Sequence, residues 1–253
     1  MKNWYGTFQL FRREVTRFTK IIVDTTISPI VSNLLYLIIF SVALSGRKIN
    51  GVSYIQFLAP GLICMTLINS SFSNPSFAFV IAKFAGTIMD LLISPLTGIQ
   101  IVLAYVCAAT VRAIFTATLT LIVILLFTHI NLYDIPMTVL VAILTSFFFG
   151  TLGVIFGYLA KQFDNLTVIT TFVMTPMSFL GGVFYPVSTL PDFWKTLSFF
   201  NPMFYFIDLF RYSVIGIYTI DPMISLLIAF FANLLLFPFA VYLFSKGKRL
   251  TIL

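Results

Sequence analysis

The residue types that carry most enzyme chemistry are few and scattered in this 253-residue chain. His129 is the single histidine, and the eight acidic residues are spread along the sequence. Cys64 and Cys107 lie inside apolar runs without CxxC spacing, which is typical of buried packing. No segment has the GxxxxGKS or GxxxxGKT pattern of an ATP-binding loop. We therefore expect no catalytic residue, metal site or cofactor here. If this chain moves something, the energy should enter from another protein.

Some charged side chains are nevertheless predicted to lie within the membrane. Arg112 is near the middle of an apolar run, where an arginine costs about 2.5 to 3.5 kcal/mol on insertion scales. It should therefore pair with a carbonyl or another polar group inside the protein. In a later segment, the spacing of Asp208 and Arg211 permits a pair on one helix face.

Two groups of small polar side chains could line a passage through the membrane. One surrounds Pro75 in the second apolar run, and the other recurs at steps of three or four residues along the fifth run. Such groups are costly against lipid, so they should face another helix or a cavity, and both packing and conduit lining explain them. The candidates are Asn69, Ser70, Ser73 and Asn74 in the first group and Thr167, Thr171, Thr175 and Ser178 in the second.

The composition defines the class of fold that must position these side chains. Hydrophobic residues make up 60% of the chain and charged residues 9%, and the mean hydropathy is +1.05. This leaves too little polar surface for a water-soluble globule, and the apolar runs lack the alternation of a transmembrane barrel. We predict an all-α integral membrane protein, with membrane lipid as a partner and no binding of nucleic acid.

Six apolar runs are predicted to cross the bilayer as helices. The second is longer than the ~30 Å hydrocarbon core requires, so it should tilt, kink or leave the membrane early. Segment 185–216 is also apolar, but prolines and charges interrupt it, which favours two short interfacial or re-entrant helices. The predicted spans are 27–44, 54–82, 99–127, 137–160, 166–184 and 223–244.

Residues 1–24 are predicted to form an amphipathic helix in the headgroup layer. Large apolar residues recur at steps of three and four from Trp4 to Ile22, with arginines and lysines elsewhere on the circumference. A soluble coiled coil shares this pattern, but the phenylalanines and the adjoining span favour the interface. The segment is too long for the charged start of a signal peptide.

The polar interruption at 83–97 is predicted to contain a helix of about two turns. Thr87 is interpreted as its N-cap with Asp90 three residues on, and Pro95 ends it. A helix this short can either connect two spans at the membrane interface or dock a soluble partner through its apolar face. Its apolar residues are Ile88, Leu91 and Leu92.

Loop charges predict the orientation of this bundle. Six spans put both termini on one side, and that side carries ten of the loop lysines and arginines against four on the other. Since cytoplasmic loops are enriched in these residues, both termini are predicted to be cytoplasmic. The ten are Lys2, Arg12, Arg13, Arg17, Lys20, Lys83, Lys161, Lys246, Lys248 and Arg249.

The order of these elements resembles the type-2 ABC exporter permeases over nearly the whole chain. The similarity is greatest to the branch of drug-resistance, nodulation-factor and polysaccharide export permeases. It is carried by Arg112 and by four segments, FLAPGLI at 57–63, TIMDLLISPLT at 87–97, TPMSFLGGVFYPVSTLP at 175–191 and NPMFYFIDLFRYSVIG at 201–216.

The resemblance implies roles for several segments. It implies that 83–97 is a coupling helix docking on an ATP-binding subunit, and that 185–216 is an outer re-entrant hairpin carrying Asp208 and Arg211. It also implies a conduit between two permeases, lined from spans one, two and five, which favours conduit lining for the two polar groups. The implied coupling residues are Thr87, Ile88, Asp90, Leu91, Leu92 and Pro95.

The implied complex is a permease homodimer with two ATP-binding cassette subunits, which bind ATP and Mg, in a bacterial inner membrane. It would export amphiphilic or hydrophobic substrates such as a drug, a lipid or a lipid-linked glycan. Two other functions remain open, a non-transporting assembly factor and a lipid-modifying enzyme. The lone histidine and scattered acids argue against the enzyme.

Overall fold

The computed structural model describes residues 4–20, 22–44, 46, 48–49 and 51–252, without the side chains of residues 24, 92 and 247–252. Helices dominate the fold, and one short hairpin with two residues in each strand joins the second and third helices. The elements are α1 Trp4–Lys20, α2 Ile22–Ala43, β1 Lys48–Ile49, β2 Val52–Ser53, α3 Tyr54–Phe84, α4 Ile88–Ile93, α5 Gly98–Leu125, α6 Ile135–Leu159, α7 Phe163–Val168, a π-helix Ile169–Met174, α8 Thr175–Leu180, a 3₁₀ turn Val187–Thr189, α9 Asp192–Phe199, α10 Pro202–Ile215 and α11 Pro222–Ile252.

Five helices in the described part of the chain are long and apolar enough to cross a membrane. They are α2, α3, α5, α6 and α11, and each coincides with a predicted span to within about two residues at the shared ends. The remaining predicted span, 166–184, is helical over 18 residues from Phe163 to Leu180 but changes its winding twice. The fold class is therefore that of an all-α membrane protein.

The change in winding has a local cause at Pro176. Proline has no amide hydrogen, so the carbonyl one turn earlier loses its α-helical donor, and a wider π turn can form there. The Thr175 hydroxyl donates to the carbonyl of Thr170 at 2.9 Å, five residues back. The π-helix Ile169–Met174 therefore lies directly before the proline.

Helix α3 lies at the centre of the bundle. It packs against α5, α6 and α10, and 78% of its most apolar stretch is buried, against 17% for α2 and for α11. Those two outer helices keep broad apolar faces that the single chain does not cover. Within 57–80 every residue of α3 is buried except a line at steps of four, formed by Met65, Asn69, Ser73 and Phe77.

Glycines on α6 allow it to approach α3 and α5 closely. A Cβ at Gly157 would lie 2.7 Å from the Cα of Ser76, and one at Gly153 would overlap the carbonyl oxygen of Phe72. At Gly150 the nearest neighbour is the Ala109 side chain of α5, at 3.3 Å. Backbone contact with α3 therefore requires glycine at two of the three positions.

The segment predicted as a hairpin contains two helices, α9 and α10, joined at Asn201. The Asn201 side chain caps α10 by accepting from the amide of Met203 at 3.0 Å, and it donates to the carbonyl of Met177 at 2.6 Å. Helix α10 packs between α3, α6 and α11, whereas α9 leaves Phe193 and Trp194 exposed. Gly216 ends α10 with φ +75°, a left-handed C-cap.

Candidate functional site

The short helix α4 begins without the cap that the sequence predicted. Thr87 has φ −73° and ψ −6°, which is helical rather than the extended conformation of an N-cap, and its hydroxyl donates to Ala82. Thr87 occupies the predicted N-cap position, but its side chain makes no capping hydrogen bond. The capping box of this region is formed ten residues later, where Thr97 and Gln100 start α5 with reciprocal bonds of 3.4 and 2.8 Å.

The C-terminal end of α4 agrees with the prediction. The helix ends at Ile93, Ser94 follows as its C-cap, and the Ser94 hydroxyl donates to the carbonyl of Leu91 at 2.7 Å. Pro95 comes next and is exposed. The whole helix is six residues long.

The two faces of α4 differ from those predicted. Leu91 is 6% exposed and packs in a core cluster with Leu10 of α1 and Phe244 of α11, so it is turned away from any soluble partner. Ile88 is half-buried against the same cluster, and the side chain of Leu92 lies outside the described part of the structure. The exposed face consists of Met89, Asp90 and Ile93.

Arg112 pairs inside the bundle, as its position predicted. Its Nη1 donates to Oδ1 of Asn74 on α3 at 3.1 Å, and its guanidinium lies 5.4 Å from the ring centroid of Phe18 on α1. Arg17 of α1 donates to the same Asn74 oxygen at 3.3 Å and to the Asn74 carbonyl at 3.2 Å. The Asn74 side chain therefore accepts hydrogen bonds from two arginines on two other helices. We call Asn74, Arg112 and Arg17, together with the groups around them, the arginine centre.

A buried glutamate that sequence reasoning missed completes this centre. Glu14 is 3% exposed, and its carboxylate lies 2.9 Å from Arg17 and 3.1 Å from Arg13. Arg13 also donates to the Tyr105 hydroxyl at 3.1 Å. Glu14 is the sole acid of α1, and its place among arginines was the available signal.

The charges of this centre do not balance. Burial lowers the pKa of Arg13, but the oxygens of Tyr105 and Glu14 outweigh burial, so this pKa is raised above its ordinary value. The Glu14 carboxylate contacts the cations of Arg13 and Arg17, and the third cation, Arg112, donates to the neutral side chain of Asn74. The face of α1 turned to the bundle is consequently polar at its middle, while Trp4 and Phe8 are exposed on another face.

The eight polar residues predicted as conduit lining divide into two sets. Ser70, Asn74 and Ser178 are buried within the single chain, and the Ser178 hydroxyl donates to the carbonyl of Met174 at 2.8 Å. They cannot line a passage between two chains in this arrangement. The accessible set is Asn69 and Ser73 on the open line of α3, with Thr167, Thr171 and Thr175 exposed on α7 to α8.

Asp208 and Arg211 are close enough for their charges to interact, but they form no direct salt bridge and each has other hydrogen-bond partners. The Asp208 carboxylate accepts from the amides of Thr219 and Ile220 at 2.9 and 3.0 Å. Arg211 donates to the carbonyl of Gly182 at 2.6 Å, and its guanidinium lies 4.0 Å from the centroid of the Phe57 ring.

These contacts bring three separate sequence segments together. A Cβ at Gly61 would lie 2.8 Å from the carbonyl oxygen of Val183 and 3.3 Å from Nη2 of Arg211. Segments 57–63, 175–191 and 201–216 therefore meet around one buried guanidinium. Within the described residues, no group of three His, Cys, Asp or Glu side chains could hold a metal ion.

The described architecture defines a class, the multi-pass helical membrane subunits with a short exposed helix between two spans. Comparison with known families identifies the particular family within that class. The sequence model of the family described as ABC-2 type transporter matches residues 5–215. The chain belongs to this family and is a transmembrane transport permease, a type of subunit that functions with an ATP-binding cassette partner.

Curated relatives agree with this assignment. The chain is 35% identical to the inner membrane transport permease YadH of Escherichia coli (strain K12), over 95% of this chain and 93% of the relative. It is 31% identical to nodulation protein J of Sinorhizobium fredii (strain NBRC 101917 / NGR234), over 67% and 64% of the two chains. With nodulation protein J of Rhizobium leguminosarum bv. viciae the identity is 29%, over 85% and 83%. These similarities and the apolar helices support a multi-pass protein of a bacterial inner membrane.

Proposed function

We propose that this chain is the membrane half of an ATP-driven exporter for amphiphilic or hydrophobic molecules. A drug, a lipid and a lipid-linked glycan all have the required chemistry. The observation that carries the proposal is the exposed face of α4, where Met89 is 51% and Ile93 is 70% exposed beside Asp90. An apolar face with one charge, on a helix outside the spans, fits a protein partner better than water.

The proposal assigns ATP and Mg to the separate ATP-binding cassette subunit and no catalysis to the permease. Helix α4 lies between α3 and α5 in the sequence and packs against α3 and α11, so a displacement of α4 would reach both of these helices directly. The buried Leu91 fixes it to the core cluster with Leu10 and Phe244. This is the arrangement that a transmitting element needs.

We further propose six crossings with both termini in the cytoplasm. The 18 helical residues from Phe163 to Leu180 extend roughly 27 Å in α geometry, close to the thickness of the hydrocarbon core. Helix α10 has 14 residues and extends only about 21 Å, and it contains two charged residues. We therefore assign α9 and α10 to a non-crossing hairpin on the outer side.

Cysteine labelling in intact cells tests this topology. In a background without Cys64 and Cys107, we expect Lys195→Cys in α9 to react with a membrane-impermeant maleimide added outside. Lys246→Cys in α11 should react only after the membrane is opened, because the two positions lie on opposite sides. Reaction of both cysteines from the same side would contradict the six-span arrangement.

We propose a homodimer with the conduit between its two copies. The open line of α3 carries Asn69 and Ser73, and the threonines of α7 to α8 are exposed in the single chain. Polar groups in these positions would be costly against lipid, so a second copy or a water-filled passage should cover them. Ser70, Asn74 and Ser178 are left out of this lining because they are buried.

Substrate-stimulated ATP hydrolysis tests the export function. We expect the purified complex with its ATPase subunit to hydrolyse ATP several-fold faster with one substrate class among phospholipids, lipid-linked glycans and amphiphilic drugs. Thr171→Leu should reduce that stimulation without changing basal hydrolysis, because Thr171 lies on the proposed conduit.

Thr118→Leu is the matched control, since this exposed threonine of α5 donates only to the carbonyl of Ile114 in its own helix. We expect it to leave stimulation unchanged. A complex that no class stimulates would contradict export and favour the assembly-factor alternative. Equal effects of the two leucine variants would contradict the conduit assignment.

A further inference from the structure

A basic cavity lies between α1 and the ends of α3 and α5, next to the arginine centre. Its volume is about 460 Å³, within the ~300 to 1,000 Å³ range of small-molecule pockets. Helix α1 contributes four cationic side chains to one wall. The opposite wall contains small or apolar side chains such as Ala78 and Ile81. The cations are Arg12, Arg13, Arg17 and Lys20.

The cavity has more positive charge than the protein neutralises. Glu14 is the one carboxylate among its lining residues, and both of its oxygens are already within 3.1 Å of Arg13 or Arg17. Arg17 keeps its buried Nε without a hydrogen-bond partner, and so does the neighbouring Arg112. An anion in the cavity would supply an acceptor to Arg17, which lines it, and would offset the excess charge.

The position of the cavity relative to the bilayer indicates where this anion comes from. The same helix α1 exposes Trp4, Tyr5 and Phe8 at 55%, 74% and 57%, and such aromatic side chains are typical of the headgroup layer. Because Arg12, Arg17 and Lys20 of the same helix line the cavity, we place it near the depth of lipid phosphates. Arginine and lysine clusters near a membrane surface recognise anionic headgroups.

We propose that this cavity binds the phosphate of an anionic phospholipid headgroup and thereby fixes α1 against the bundle. The bound phosphate lies between Arg12, Arg17 and Lys20, and the acyl chains extend along the exposed apolar face of α1. The proposal concerns a lipid resident in the membrane, so it does not depend on which molecule is exported or on export itself.

Lipid binding by the purified full-length permease tests the proposal. The probes are dioleoyl phosphatidylglycerol, dioleoyl phosphatidylcholine and inorganic phosphate, with binding measured by native mass spectrometry after delipidation. We expect the wild type to retain phosphatidylglycerol, to bind phosphatidylcholine at least tenfold more weakly, and to keep its lipid in millimolar inorganic phosphate.

Three variants locate the site. Arg12→Gln with Lys20→Gln removes two cavity cations outside the Asn74 network and should weaken phosphatidylglycerol binding roughly thirtyfold. Thr16→Trp keeps every charge but fills the cavity from an exposed position, and it should cause a comparable loss. The matched control, Lys48→Gln with Lys195→Gln, removes the same charge elsewhere and should bind like wild type.

Several results would overturn the proposal. Equal binding of the two lipids would show that headgroup charge does not select the ligand. Equal losses in the control and the cavity double variant would show that only diffuse charge attracts lipid. Full binding by Thr16→Trp would exclude the cavity as the site. Displacement of the lipid by inorganic phosphate would identify a free anion as the occupant. Loss of the ATPase subunit from Arg12→Gln/Lys20→Gln, with lipid binding unchanged, would identify a protein contact.

Discussion

A permease with aspartate at both Met89 and Ile93 is expected to lose its ATPase subunit during purification while it keeps its own fold. Both side chains are mostly exposed on α4, so two new carboxylates cost the free permease little. At an interface, each would replace an apolar contact by a desolvated charge. Losing a contact at the centre of an interface reduces the binding free energy by about 2 kcal/mol or more. The affinity of the permease for the ATPase subunit should therefore fall by roughly a hundredfold or more.

The chain contains a matched control at the opposite end of the bundle. Met223 and Ile224 at the start of α11 are 63% and 51% exposed, so their aspartate variants change the same residue types in similar surroundings. We expect that double variant to keep the ATPase subunit. Leu91→Asp is different again, because it buries a carboxylate in the core and should unfold the permease itself. If the Met89 and Ile93 variant stays bound and coupled, α4 is only a tether.

Asn74→Leu is expected to be among the most destabilising single substitutions in the bundle. It removes the side-chain oxygen that accepts from both Arg112 and Arg17. Arg17 keeps the Asn74 main-chain carbonyl at 3.2 Å, so Arg112 loses the more from this substitution. Hydrogen bonds to charged groups contribute about 1.5 to 3 kcal/mol each, so the loss should reach about 3 kcal/mol. The measurement is the thermal unfolding of the purified permease in detergent.

Four further variants distinguish loss of the arginine contacts from a simple packing defect. Asn74→Asp should be at least as stable as wild type, because its carboxylate would lie between two cations. Arg112→Leu should lower the stability less than Asn74→Leu, since it removes a buried cation instead of leaving one without its acceptor. Arg112→Lys should recover only part of any lost stability, because lysine lacks the planar fork of the guanidinium. Asn69→Leu, on the open line of the same helix, is the control and should change stability by less than about 1 kcal/mol. Equal losses in Asn74→Leu and Asn74→Asp would contradict the arginine centre.

The membrane-spanning helices could be predicted from the sequence because the length of each apolar run shows whether it can cross the bilayer. All five long apolar helices coincide with predicted spans, and the breaks around α9 and α10 follow from their prolines and charges. The π-helix at Ile169–Met174 could not be predicted in the same way. Its winding depends on which donors replace the amide missing at Pro176, and apolar periodicity does not contain that information.

The faces of α4 could not be predicted because nearly every residue in IMDLLI is apolar. A six-residue helix has too few turns for periodicity to show which side is inward, so the fold of the rest of the chain decides. That fold places Leu91 against α1 and α11 and leaves Met89 and Ile93 outside. The predicted position of the helix was confirmed, whereas its exposed residues had to come from the structure.

The arginine centre shows a similar limit. The cost of burying Arg112 predicts that a partner exists, but it does not say which one. Asn74 is 38 residues from Arg112 and 57 from Arg17, so only the tertiary fold brings them together. The polar residues around Pro75 looked equivalent in the sequence. In the structure Asn74 is an internal partner, and Asn69 and Ser73 are accessible.

The most direct test of a membrane subunit driven through α4 is site-directed cross-linking to its ATPase subunit. In a background without Cys64 and Cys107, single cysteines at Asp90 and at Lys195 are treated with a short maleimide–succinimidyl ester cross-linker in membranes that contain the assembled complex. The maleimide reacts with the cysteine, and the ester then captures a lysine of the ATPase subunit. The account predicts that Asp90→Cys forms a permease–ATPase adduct and that Lys195→Cys forms none. An adduct from Lys195→Cys, with none from Asp90→Cys, would contradict both the coupling role of α4 and the orientation of the bundle.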